Sequence, residues 1–193
     1  VLYGDVPLIK TATLKQLIDT LDTATTNDIA LLTVHLENPA GYGRIIREEN
    51  KVTAIVEQKD ATDAQRQINE VNTGILAIRA GYLNQCLKKI DNNNAQAEFY
   101  LTDIIAMAVK EGNRIITSQP AHSYEVEGVN DRIQLARLER IYQHEQANRI
   151  MAKGVTLADP SRIDIRGMIN IGNDSFIDIN CVFEGQVTIG SHV

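Results

Sequence analysis

The chain has 193 residues, 44% of them hydrophobic and 23% charged, with a formal net charge of −6 at pH 7. That composition fills the core of one large soluble domain or of one and a half smaller ones, and the acidic balance argues against broad attraction to nucleic acid or an anionic membrane. No signal-peptide pattern or bilayer-length apolar run is read, and the separated Cys86 and Cys181 form neither a CxxC nor a metal-ligand spacing, so free thiols in a reducing cytoplasm are expected.

Val1-Leu2-Tyr3-Gly4 reads as the end of a buried strand, and Asp5-Val6-Pro7-Leu8 as the turn after it. Thr13 to Leu21 has helical periodicity, with Leu14, Leu17, Ile18 and Leu21 on one face. Ile29 to Leu36 is a short apolar run, the pattern of a central strand in a sheet covered on both faces. A loop at 38–43 leads into a hairpin of Arg44 to Arg47 with Val52 to Glu57 about residues 48–51. Glu70 to Ile78 is predicted as a strand, Tyr82 to Ile90 as a helix, Leu101 to Val109 as a helix stopped by Gly112, and Ile115 to Thr117 as a short strand. Alternating strands and helices predict an α/β sheet covered by helices.

Arg132 to Lys153 contains no Pro or Gly and predicts one long helix, with an apolar stripe at Leu135, Leu138, Tyr142 and Ile150 and a stop at Gly154. From Ile165 a different period takes over. Ile165, Ile171, Ile177, Phe183 and Ile189 recur every sixth position, and Gly172 and Gly190 each follow one of them. This hexapeptide pattern predicts a parallel β-helix, one apolar residue in six facing a narrow core. The chain opens without Met inside one apolar stretch and closes inside the repeat, so both ends are expected to be cut.

Polar residues at the predicted strand ends carry the candidate chemistry. Asp5 stands just past a strand, at the sheet edge where α/β proteins bind ligands. Its carboxylate could hold Mg²⁺ and through it nucleotide phosphates, or shape the turn before Pro7. Asn130 offers a neutral amide oxygen to a metal, or an N-cap to the long helix. Gly41-Tyr42-Gly43-Arg44 admits close backbone approach to a ligand, or is a simple turn. Glu57 either accepts from a sugar hydroxyl or is a surface carboxylate. Asn72-Thr73-Gly74 interrupts an apolar strand, which weakens it and points to a ligand-facing edge. Glu98, Tyr100, Thr102 and Asp103 cluster where a helix begins, with Thr102 as its possible cap. The four histidines are scattered, and neither a nucleophile elbow, a P-loop nor a complete GxGxxG occurs.

Taken together, YGDVPL, NPAGYGRIIRE, IVEQKDAT, EVNTGI, NNNAQAEFYLTDII and EVEGVNDRIQLARLER, with the hexapeptide tail, closely resemble the bacterial bifunctional uridyltransferase–acetyltransferase family that makes UDP-N-acetylglucosamine. The resemblance implies a partial Rossmann-like nucleotidyltransferase sheet at 1–129, a linker helix at 130–154 and the first coils of a left-handed parallel β-helix at 155–193. It implies Mg²⁺ on Asp5 and Asn130. Substrate contacts are implied at Tyr3, Gly4, Gly41, Glu57, Asn72, Tyr100, Thr102 and Asn130. The implied reaction joins UTP and N-acetylglucosamine 1-phosphate into UDP-N-acetylglucosamine and pyrophosphate, in a cytoplasmic homotrimer feeding peptidoglycan and lipopolysaccharide synthesis. The family's Gly-rich loop, with an Arg and a Lys for the UTP phosphates, would precede Val1. Its acetyl-CoA site, which serves acetylation of glucosamine 1-phosphate, would follow Val193. The fragment alone is therefore expected to be inactive. Two other readings fit the same texture: another sugar-1-phosphate nucleotidyltransferase, or a non-catalytic trimeric assembly module.

Overall fold

Strand β1 (Ile29–His35) is the spine of the first part of the chain, and its run of apolar residues serves two cores at once. Side chains alternate across a strand. Ile29 and Leu31 join a cluster with Tyr82, Cys86, Ile104, Ile105 and Ala108, while Ala30, Leu32 and Val34 join another with Leu17, Leu21, Val71 and Ile75. The computed structural model describes residues 1–23, 27–92 and 97–193; residues 93–96 of the NNNAQAEFYLTDII string lie outside the described residues. Two compact units are present, Val1–Gly128 and Val129–Val193.

In the first unit, helix α1 (Thr11–Asp22) covers one sheet face, and α3 (Ala80–Leu87) and α4 (Asp103–Lys110) cover the other. Strands β2 (Arg44–Glu48), β3 (Lys51–Val56), β4 (Glu70–Ala77) and β5 (Ile115–Ser118) complete a five-stranded sheet in the order β3-β2-β4-β1-β5. Only β1 and β5 run parallel; the other pairs are antiparallel. The sheet is thus mixed, and it includes the hairpin expected at 44–57. The physical reason is local at β2–β3, where Glu49 and Asn50 turn the chain with φ of 47° and 66°. A two-residue turn of that hand can only reverse a strand.

Several expectations shift by a residue or two, and some fail. Val1, Leu2 and Tyr3 are not a buried strand end but 43%, 56% and 47% exposed. Val1 pairs with Leu76, its amino group donating to the Leu76 carbonyl at 2.8 Å and its carbonyl accepting from Leu76 N–H at 3.3 Å. Ile18 is exposed, because α1 buries the row Thr13, Leu17 and Leu21, spaced four apart, and Ile18 lies one step around the helix from it. Thr13 earns that interior place by donating its hydroxyl to the buried carboxylate of Glu125 at 2.5 Å. Helix α2 (Asp63–Arg66) went unread, although Thr62 and Gln65 form the reciprocal capping box that marks a helix start. Gly112 ends α4 as expected, at φ 83° with Asn113 N–H bonded to the Ala108 carbonyl at 2.9 Å.

The second unit begins with α5 (Arg132–Met151), closed by Gly154 at φ 90°. Its buried row is Leu138, Gln143, Ala147 and Ile150; Leu135, placed on the apolar stripe by periodicity, is exposed. Ala147 and Ile150 pack with Val155, Ile163, Ile165, Ile171 and Ile177, and Phe183 and Ile189 rest partly buried on that cluster. The five hexad positions therefore share one core. Strands β6 (Thr156–Leu157) and β8 (Phe176–Ile177) pair in parallel, as do β7 (Ile163–Ile171) and β9 (Cys181–Ile189). These are separate two-stranded sheets. The β7–β9 register runs unbroken from Ile163↔Cys181 to Ile171↔Ile189, an offset equal to three hexapeptides. Gln143 is built into this edge: its side-chain oxygen accepts from Ile165 N–H at 2.7 Å and its amide donates to the Ile165 carbonyl at 3.1 Å. No helix among the described residues is long and apolar enough to cross a membrane.

Candidate functional site

The site is built on an irregularity in β4. Opposite β1, the register jumps from Leu31↔Leu76 to Thr33↔Asn72, which leaves Thr73, Gly74 and Ile75 facing Leu32 alone. Gly74 takes φ 77°, a left-handed backbone that side-chain-bearing residues avoid. Asn72 stabilises the kink by accepting from Gly74 N–H at 2.9 Å, and Thr73 donates its hydroxyl to the Leu32 carbonyl at 2.7 Å. The ring of Tyr3 fills the space above Gly74: a Cβ there would stand 2.2 Å from Tyr3 Cε2. The polar interruption in an apolar strand thus has a structural job at Asn72, and it also opens the place where Tyr3 sits.

Three further segments converge on the same side of the sheet. Asn72 N–H donates to the Gly43 carbonyl at 2.8 Å. Gly43 lies so close to β3 and its continuation that an added Cβ would meet Ile55 Cγ2 at 2.9 Å and both Glu57 carboxylate oxygens at 3.2 Å. Thr102 then donates its hydroxyl to Glu57 Oε1 at 3.0 Å. This overturns the capping role for Thr102. Its backbone is already helical, it makes no side-chain cap bond, and α4 starts through a tight turn with Asp103, Ile104 and Ile105 N–H bonded to the carbonyls of Tyr100, Leu101 and Thr102. The hydroxyl is free to hold Glu57 instead. Tyr100 is half-buried one turn earlier. Asp103 is held above the usual carboxylate range, first by burial and then by the charges of Asp91 and Asp60.

Gly41 has φ 88° and open space where a side chain would be, so its backbone is accessible. Its N–H points to Gln58 Oε1 at 3.4 Å, and the same oxygen accepts from Arg44 Nη2 at 2.6 Å. Arg44 closes the glycine loop singled out in the sequence, whereas Gln58, adjacent in the chain to Glu57, was not singled out. Gly4, likewise in open space, and Asp5 are exposed. Asp5 makes no hydrogen bond or ion pair with the described residues, and its carboxylate oxygen would lie 3.5 Å from a Cβ on Gly128, two residues before Asn130 in sequence.

In the second unit, the N-cap of α5 is Asp131, whose carboxylate accepts from Gln134 N–H at 2.7 Å. Asn130 is therefore not the cap; only its backbone N–H is engaged, by Gln134 Oε1 at 2.7 Å. Its side-chain amide oxygen and the Asp5 carboxylate are both uncommitted. A carboxylate and an amide oxygen are each hard donors of the kind Mg²⁺ takes. Among the described residues no group of three or more His, Cys, Asp or Glu forms a closed metal cage.

A groove of about 860 Å³ elsewhere is lined by Arg47, Lys51, Asn113, Arg114 and Thr117. It includes none of the expected site residues. Two of its cations are already paired, Arg47 with Glu70 at 2.7 Å and Arg114 with Asp28 at 2.8 Å.

No family model matches the chain. Along its full length it is 57% identical, over 194 residues, to the bifunctional protein GlmU of Marinobacter nauticus. It is 55% identical over 195 residues to that of Nitrosospira multiformis, and 52% over 193 to that of Acinetobacter baumannii. The chain spans 42% of the length of each of these relatives.

Proposed function

We propose, from the premise that this chain belongs to the bacterial bifunctional GlmU family as the counterpart of about two-fifths of those proteins, that it carries the metal ligands of a UDP-N-acetylglucosamine-forming uridyltransferase and, in its first unit, the amino-sugar pocket. The observation that carries this reading is the convergence of Gly43, Glu57, Asn72 and Thr102, where the ends of β2, β3 and β4 meet the start of α4 and the Thr102–Glu57 side-chain bond joins them.

The reaction proposed is attack of a phosphate oxygen of N-acetylglucosamine 1-phosphate on the α-phosphorus of UTP. A new P–O bond forms as the bond to pyrophosphate breaks. The attacking phosphate is already an oxyanion at neutral pH, so the protein's part is positioning and charge stabilisation. Glu57, oriented by Thr102, accepts from sugar hydroxyls. The open backbone of Gly41 and the Asn72 amide flank the sugar, with Tyr3, Gly4 and Tyr100 as further lining. Asp5 and Asn130 would hold Mg²⁺, which when bound neutralises phosphate charge and aligns the reacting groups. Asp5 suits this role because its carboxylate is exposed and free of protein partners among the described residues.

For the second unit we propose the first coils of the acetyltransferase β-helix, in a protein that assembles as a homotrimer and acetylates glucosamine 1-phosphate from acetyl-CoA. The 18-residue register between β7 and β9 supports this, since three six-residue faces close one triangular coil. A cytoplasmic setting follows from the proposed substrates.

The test uses the full-length protein carrying this segment. Glu57→Ala should raise KM for N-acetylglucosamine 1-phosphate about tenfold while KM for UTP stays within about twofold. Equal losses for both substrates would make Glu57 structural. A panel of sugar 1-phosphates on the unaltered protein separates this reading from a glucose-type nucleotidyltransferase. Absence of any Mg²⁺-dependent UTP turnover would leave an assembly module.

A further inference from the structure

Arg44 is 2% exposed, and its guanidinium has no carboxylate within ion-pair distance among the described residues. Its acceptors are all neutral: the Tyr42 carbonyl for Nη1, and Gln58 Oε1 at 2.6 Å and the Arg66 carbonyl at 3.4 Å for Nη2. Nε has no partner. Taking a cation out of water without a counter-ion is costly, and an unmet buried N–H adds to that cost. An apolar side chain would fill the same space without either penalty. What Arg44 has that an apolar residue lacks is a rigid planar fork of donors.

The fork is anchored. Arg44 opens β2, paired with Val56 of β3 on one side and Val71 of β4 on the other, so its backbone is held from both directions. Its neighbour Ile45 points into the core beneath the opposite sheet face. The targets of the fork are specific. Tyr42 lies between Gly41 and Gly43 in the site loop. Gln58 follows Glu57, and its oxygen also receives Gly41 N–H. The Arg66 carbonyl is at the last turn of α2, an end with exposed acceptors and partial negative charge. One side chain therefore ties the glycine loop to the segment that bears the sugar-binding carboxylate.

We infer that Arg44 and Gln58 form a clamp that presets the Gly41–Gly43 loop for the amino sugar, so that both are positioning residues for the transferase reaction. The inference rests on the amino-sugar reading of the site. A glycine at φ 88° with nothing packed over it has many alternative conformations, and the Gln58 oxygen selects the one in which the backbone faces the pocket. Loosening the loop lowers the population competent to bind sugar without touching the UTP contacts.

The experiment compares Gln58→Leu, Gln58→Glu and Arg44→Lys in the full-length protein, with Glu57→Ala as the reference for the site. Gln58→Leu removes the shared acceptor at similar size. It should raise KM for N-acetylglucosamine 1-phosphate about fivefold to tenfold, change kcat and KM for UTP less than about twofold, and speed amide hydrogen exchange in residues 38–43. Gln58→Glu keeps the acceptor oxygen and should recover most of the sugar affinity. Arg44→Lys keeps the charge but not the fork and should resemble Gln58→Leu. If Gln58→Leu speeds exchange but leaves sugar KM unchanged while Glu57→Ala raises it, the clamp is wrong and the site reading stands. If Glu57→Ala also leaves sugar KM unchanged, the site reading fails with it.

Discussion

Replacing Thr102 with Val removes one hydroxyl at nearly constant shape, and the structure says which of two roles that hydroxyl serves. It donates to Glu57 Oε1 at 3.0 Å and caps nothing. A hydrogen bond to a charged acceptor contributes roughly 1.5–3 kcal/mol. Both partners are only half-buried, so water makes good part of the loss, and about 1 kcal/mol remains as the cost to the orientation of Glu57. In full-length protein this corresponds to about a fivefold rise in KM for N-acetylglucosamine 1-phosphate. The melting temperature should stay nearly constant, because Asp103, Ile104 and Ile105 N–H already find backbone carbonyls in the first turn of α4. Thr102→Ser keeps the donor and should behave as wild type. Thr102→Asp, a good capping residue, sets a second carboxylate against Glu57 and should bind sugar worse than Thr102→Val. Steady-state kinetics with each substrate varied, together with calorimetric melting, reads all of these outcomes. Loss of about 1 kcal/mol of stability in Thr102→Val with unchanged sugar KM, restored by Thr102→Asp, would show that Thr102 is a cap after all.

Asp5→Ala in the full-length protein should lower uridyltransferase turnover at least about a hundredfold, roughly 2.7 kcal/mol, without changing the melting temperature. Asp5 makes no protein hydrogen bond to lose, and a near-normal rate at saturating Mg²⁺ would remove it from the metal site. Gly74→Ala combines left-handed strain of about 1–2 kcal/mol with a Cβ 2.2 Å from the Tyr3 ring. Denaturant unfolding should show the loss, and fluorescence of the lone-standing Tyr3 in a variant lacking the other tyrosines should report its displacement; unchanged stability would refute the bulge geometry. Glu70 governs a pH dependence. Burial pushes its carboxyl up, but hydrogen bonds from Arg47 and Thr33 and the Arg47 charge outweigh burial and hold it below its ordinary value of 4.5. A depressed carboxylate contributes stability that is complete above the unfolded-state value and lost as pH falls through the folded one. Stability should therefore decline below about pH 4.5 less steeply in Glu70→Gln than in wild type; parallel curves would exclude this pair as the cause.

The order of elements was legible because each rests on a short-range pattern. β1 shows as a mostly apolar run, α4 and α5 end at glycines that adopt positive φ, and the hexad positions from Ile165 to Ile189 share one core because strand register repeats with the sequence period. The candidate residues Gly41, Glu57, Asn72 and Thr102 also stand out in the sequence, as polar or glycine interruptions beside apolar strands. Their mutual arrangement was not. Whether Thr102 caps a helix or holds Glu57, and whether Asn130 or Asp131 caps α5, depends on which acceptor or donor the fold brings within 3 Å, and one-dimensional spacing is the same in either case. Beyond the β2–β3 hairpin, the direction of the strands was hidden for the same reason, since pairing partners such as β4 and β1 are separated by more than thirty residues of chain. Arg44 shows the limit most clearly. In sequence it is one basic residue among several after a glycine loop, and only tertiary packing takes it out of water, denies it a carboxylate and sets its fork on Tyr42 and Gln58. A charge's burial and partners are properties of the assembled sheet, and no local pattern encodes them.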